Sequence, residues 1–109
     1  MLYIDGNTIR LTRGDTAYLT VPIKTEDGEE YVMQSGDVLT FSVKKNKLAE
    51  EYLFQKVVNG SNEIHIEPSD TTNIPYGKYR YDVQINLASG DVFTIIEPNT
   101  FEIMEEVTR

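Results

Sequence analysis

His65 is the only histidine in the chain, and Glu63 and Glu67 stand two residues to either side of it. An imidazole between two carboxylates is material for general acid–base catalysis, provided a nucleophile or a bound water lies within reach. The spacing works against that use. Ile64 and Ile66 alternate with the three polar residues, so in a strand the polar trio faces water while the isoleucines face a core. The expectation is a solvated strand histidine. Other carboxylates come as neighbours, Glu29 with Glu30, Glu50 with Glu51 and Glu105 with Glu106. Adjacent side chains in strands and turns diverge, so none of these pairs is set up to share a proton.

Metal chemistry finds little to use. The chain has no cysteine and one histidine, which leaves no zinc ligand set. The turn pairs Gly14-Asp15, Asp27-Gly28, Gly36-Asp37 and Gly90-Asp91 carry oxygen donors. None shows the alternating acids of a calcium hand, and Asp and Gly are the ordinary residues of tight turns. Gly-x-Gly does not occur, so no phosphate-cradling loop is present. A metal-dependent hydrolase would need distant carboxylates to converge in three dimensions. No catalytic residue, metal ligand or cofactor site is therefore expected, and the chain reads as a non-enzyme.

Charge narrows the partners. Eighteen acidic against ten basic residues give a formal net charge of −8. That disfavours nucleic acid, whose affinity comes from Lys and Arg displacing counterions, and equally an anionic membrane surface. No run reaches the ~20 apolar residues of a membrane helix. The opening Met-Leu-Tyr-Ile-Asp-Gly-Asn is neither basic nor continuously apolar, so a signal peptide is not expected and synthesis in the cytoplasm is. A chain of 109 residues suits one domain, taken as residues 1–109.

The elements that must position any site are legible from alternation. From Tyr79 every odd residue is apolar or aromatic (Tyr79, Tyr81, Val83, Ile85, Leu87), and every even one is polar. That predicts a strand with one buried face. Pro75 and Gly77 after Ser69-Asp70-Thr71-Thr72 predict a short turn before it. Residues 8–12, 16–23, 38–44, 53–58, 64–66, 92–96 and 100–104 read as further strands. Pro22 falls on the outward side of its strand and implies an edge or bulge. Residues 47–52 predict one turn of helix at most, and Glu97-Pro98-Asn99 a kink. Seven or eight short strands between turn signals predict an all-β, antiparallel sandwich of immunoglobulin-like type, with a small barrel as the alternative. Tyr79, after the turn, is the candidate for a tyrosine corner, in which a hydroxyl returns to upstream backbone.

Seven tyrosines and no tryptophan make up much of the aromatic content. Tyr18 stands on the polar phase of its strand. Phe93 and Ile95 lie opposite Val92, Thr94 and Ile96, so that strand reads as apolar on both faces. Such a strand is either covered or pairs with another chain. Tyr18, Phe93 and Ile95 are accordingly the candidate interaction residues.

Four stretches resemble a known group. They are Ile9-Arg-Leu-Thr-Arg-Gly-Asp-Thr-Ala-Tyr-Leu-Thr-Val-Pro-Ile23, Ser35-Gly-Asp-Val-Leu-Thr-Phe-Ser-Val-Lys-Lys45, Tyr76-Gly-Lys-Tyr-Arg-Tyr-Asp-Val-Gln-Ile85 and Gly90-Asp-Val-Phe-Thr-Ile-Ile96. The pattern resembles small immunoglobulin-type proteins encoded among the virion structural genes of phages and prophages of Gram-positive bacteria. It is also similar to the amino-terminal domain of the baseplate upper protein. The resemblance spans about Ile9 to Ile103 and rests on turn-and-strand patterns. It implies a structural or adaptor protein of tail, baseplate or head decoration, residing in the virion and made in the bacterial host cytoplasm. Its partners would be its own copies or other virion proteins. A baseplate protein of that kind continues into further domains, whereas this chain ends at Arg109, so a stand-alone accessory subunit is expected. The alternative function is a carbohydrate-binding module that grips host-surface glycans with Tyr31 or Tyr76.

Overall fold

The computed structural model describes residues 2–5, 7–25, 27–46 and 48–106, the first four of these by their backbone. The charged tail from Glu105 reads as loose in the sequence; its residues 107–109 lie outside the described residues, as do Lys47 and Glu26, while Glu106 is held by Arg13 at 3.0 Å. The elements in order are β1 (Leu2–Asp5), β2 (Thr8–Thr12), β3 (Ala17–Thr20), β4 (Val38–Lys44), β5 (Tyr52–Asn59), β6 (Glu63–Ile66), α1 (Pro68–Thr71), β7 (Gly77–Asn86) and β8 (Val92–Met104). The protein is all-β, and among the described residues helix is confined to the single turn of α1.

Six strands form one sheet in the order β1-β2-β8-β7-β4-β5, and β3 with β6 forms a second. The expectation of wholly antiparallel pairing is corrected at one place: β2 runs parallel to β8, with Ile9 opposite Phe101 and Leu11 opposite Ile103. Alternation fixes which face of a strand is buried but is indifferent to the direction of its neighbour. β1, which lacks a strand expectation in the sequence, exists by antiparallel pairing with β2.

β4 sits between β7 and β5 and supplies the centre of the core. Leu39, Phe41 and Val43 are buried, in register with Ile85, Val83 and Tyr81 of β7. Across the second sheet Ala17 and Leu19 of β3 pair with Ile66 and Ile64 of β6, and all four point inward. Val21 and Ile23 continue the buried phase beyond the strand. β3 itself ends before Pro22, which has no N–H to extend a ladder.

An aromatic cluster fills the middle. The Phe41 ring lies 5.3 Å from Tyr81 and 6.0 Å from Phe101, and Phe54 lies 5.8 Å from Phe101. Tilted and edge-on pairs of this kind contribute ~0.5–1.5 kcal/mol each beyond their area burial. The corner before β7 is more ordered than a bare turn. Asp70 accepts a bond from the Glu67 N–H at 2.8 Å, and its carboxylate meets Lys56 of β5 at 2.7 Å. The Thr71 hydroxyl, buried, accepts from the Gly14 N–H at 2.8 Å. Between residues 45 and 51 no helix forms among the described residues.

Candidate functional site

The strand that reads as apolar on both faces is resolved by its pairing with β7. Phe93 is opposite Ile85 and Thr94 opposite Gln84, but Val83 is opposite Ile96, so Ile95 is an inserted residue. A bulge of this kind places two residues of one strand against one of the other. It shifts the phase of alternation, so that Ile95 and Ile96 both pack against the core. The two-faced reading is therefore corrected: of the apolar residues in this stretch, Val92 is the one paired with a polar residue, Asn86. A second irregularity follows at Glu97-Pro98, between the Val83–Ile96 and Tyr81–Asn99 pairs, where the kink was expected.

Phe93 stands on the core side of the large sheet and is still 54% exposed. The reason is coverage. β3 and β6 are four residues each, far shorter than the ten of β7 and thirteen of β8. Beyond the end of β3 the chain leaves an open groove of about 700 Å³, walled by Pro22, Ile23 and Tyr31 on one side and Leu87, Phe93 and Ile95 on the other. Among the described residues, Lys24 is the only charged one in its lining. Such a groove can hold apolar side chains.

Asp37 fixes both walls. Its carboxylate is 1% exposed. One oxygen accepts from the Tyr31 hydroxyl at 2.5 Å and from the Gln34 N–H at 2.9 Å, and the other from the Ala88 N–H at 3.0 Å. The Tyr31 hydroxyl first, then the two amides, hold the Asp37 carboxyl below the usual carboxylate range. The same pairing raises the Tyr31 hydroxyl. Gly36 makes the approach feasible: its φ is +93°, and a Cβ there would fall 3.0 Å from that of Ala88. The Gly-Asp pair that resembled a loop cation donor is thus an internal clamp. Among the described residues, no three His, Asp or Glu side chains gather to hold a metal.

Tyr18 lies elsewhere. It is 59% exposed on the outer face of β3 and stacks on its cross-strand neighbour His65, with ring centroids 4.4 Å apart and planes 8° from parallel. Phe93 and Ile95 come together; Tyr18 does not join them. The two tyrosines considered for sugar stacking are committed within the chain. Tyr31 is half-buried against Asp37, and the Tyr76 ring lies under the Arg13 guanidinium at 4.2 Å, its hydroxyl accepting from Arg13 at 2.9 Å. The Tyr79 hydroxyl donates to the Pro75 carbonyl at 2.6 Å, and that of Tyr81 donates to the Asn7 carbonyl.

A second, smaller depression of about 210 Å³ lies on the outer face of the large sheet, lined by Lys44, Tyr52, Gln55, Arg80 and Asp82 among others. Burial raises the Asp82 carboxyl, and Lys44 partly offsets this. Sequence reasoning missed the groove residues Pro22, Ile23 and Leu87, and it offered Tyr31 only for sugar stacking. A signal was present in the buried phase of residues 17–23 running past Pro22, where a ladder cannot follow.

Compared with protein-family models and with curated proteins, the sequence matches none.

Proposed function

We propose that this chain is an immunoglobulin-like domain acting as a non-enzymatic structural or adaptor protein of a phage or prophage virion, in tail, baseplate or head decoration. Strand order supports the fold reading. β5-β4-β7-β8 on one side and β3-β6 on the other match the C′CFG and BE division of a variable-type immunoglobulin sandwich. The Tyr79–Pro75 bond has the form of a tyrosine corner at the start of the F strand. The virion assignment rests on the sequence resemblance between Ile9 and Ile103.

One observation carries the mode of action: the half-exposed Phe93 in an apolar groove whose walls Asp37 holds in place. A rigid apolar groove with few charges suits one or two apolar side chains of a neighbouring virion protein. The glycan alternative has less to support it, since the Tyr31 hydroxyl is bound to Asp37 and Arg13 covers one face of the Tyr76 ring.

Incorporation into particles tests the proposal. Phe93→Ser should reduce the protein recovered in purified particles by about tenfold or more, with thermal stability nearly unchanged. Particles that assemble and infect normally without the polypeptide would reject the reading.

A further inference from the structure

The geometry points to homotypic pairing through β5: two copies join their large sheets edge to edge, antiparallel, about a two-fold axis at Val57. This supplies a surface for the self-association named above and rests on that reading for its setting alone.

β5 is at the end of the six-stranded sheet. One side of Tyr52–Asn59 pairs with β4; among the described residues the other row of N–H and C=O groups has no ladder partner. An edge strand that stays single is ordinarily protected by outward or inward-pointing charge, a bulge, proline or brevity. β6 shows such protection, being four residues long with Glu63 and Glu67 about its end. β5 has neither the brevity nor the proline. It has eight residues without proline, glycine or acid. Its one charge, Lys56, turns inward, a position that ordinarily discourages an added strand, but here Asp70 at 2.7 Å and Glu67 at 3.7 Å already neutralise it. Bulging, another protective device, is confined to the start of the strand, at the Val43/Lys44 shift.

The partner is a second copy because this strand complements itself. In a molecule of net charge −8, copies repel on average, yet the edge carries no carboxylate. A two-fold axis normal to the sheet pairs residues that face the same way, so it must pass through one residue. Lys56 on the axis would oppose two like charges. Val57, 56% exposed on the outer face, would meet its own copy, and Gln55 would meet Asn59 of the other copy on each side. That pairing gives apolar contact at the centre and amide hydrogen bonds flanking it. A contact of this size is well below the ~20–30 residues a side of a stable interface. The dimer is thus weak in dilute solution and favoured where an assembly holds copies close.

The cysteine-free chain makes the test direct. Opposed residues in antiparallel strands have Cα atoms ~4.5–5.5 Å apart, within disulfide reach. Val57→Cys should form a disulfide-linked dimer under mild oxidation at least about tenfold faster than Thr94→Cys, an exposed control on another strand. Val57→Lys should raise the dimer dissociation constant at least about tenfold in sedimentation equilibrium, with an unchanged circular dichroism spectrum. A wild-type protein that stays monomeric up to millimolar concentration, with Val57→Cys cross-linking no faster than the control, overturns the edge pairing. If that monomer still enters particles in a Phe93-dependent way, the assembly reading stands without it.

Discussion

β7 and β8 run through two regions built on one alternating pattern but finished differently. In the lower half Tyr79 and Tyr81 meet Phe101 and Asn99, and the second sheet closes over Phe41, Tyr81 and Phe101 until Phe101 has no exposure. In the upper half Ile85 meets Phe93 with the same inward phase, yet Phe93 stays half in water because β3 has already ended. The two phenylalanines are alike in chemistry and in strand. What separates them is the length of the layer above. A side chain's orientation follows from its own strand, whereas its burial depends on a different part of the chain.

The sharpest way to break that comparison is to truncate both rings. Phe101→Ala should cost about 3–5 kcal/mol, the range for a large aromatic removed from a closed core. Phe93→Ala should cost less than about 1 kcal/mol, because water already reaches the ring. Urea denaturation of the two variants reads the contrast, and equal losses would mean the groove is closed in solution. Next in size is Gly36→Ala, which forces a side chain into a left-handed conformation and against Ala88. A loss of about 1–3 kcal/mol is expected, together with slack in both groove walls visible as faster amide exchange at Leu87 and Tyr31.

Two pH profiles sharpen the contrast between the regions. Asp37 in the open half has a depressed folded pKa, so the unfolded chain binds the proton more readily. Its contribution is complete above the ordinary Asp value of ~3.9 and is lost as pH falls through the lower folded value. Asp37→Asn should remove that acid-side slope in stability measured between pH 2 and 5. Tyr81 in the closed half behaves in the opposite sense. Burial pushes its hydroxyl up to about 12, so the unfolded chain loses the proton first. Stability is complete below ~10 and declines as pH rises through the folded value. Tyr81→Phe should flatten this alkaline decline, the smallest of the four effects, since the ring and its contacts remain.

Much of the fold can be read from residues, and the failures are physical in kind. Ile9, Leu11, Ala17, Leu19, Val21, Ile23, Leu39, Phe41 and Val43 all take the buried side that alternation assigns them. Residues 92–96 are the exception, because a bulge at Ile95 changes phase without changing composition. α1 was hidden within turn chemistry, since Pro, Ser, Asp and Thr serve a first helical turn as well as a loop. Of the candidate interaction residues, Phe93 and Ile95 share a groove. Tyr18 is separated from them, because the outer face of β3 and the inner face of β8 belong to different sheets.

Local pattern alone determined the β-rich class, the inward phase of nearly every strand and the acid-rich, cysteine-free composition. These depend on a residue and its neighbours two or four positions away. Tertiary structure decided the parallel joining of β2 to β8, the clamp that Asp37 places on Tyr31 and Ala88, and the half-covered state of Phe93. Each of these requires segments tens of residues apart to meet, and the free energy of such a meeting belongs to the pair, not to either sequence.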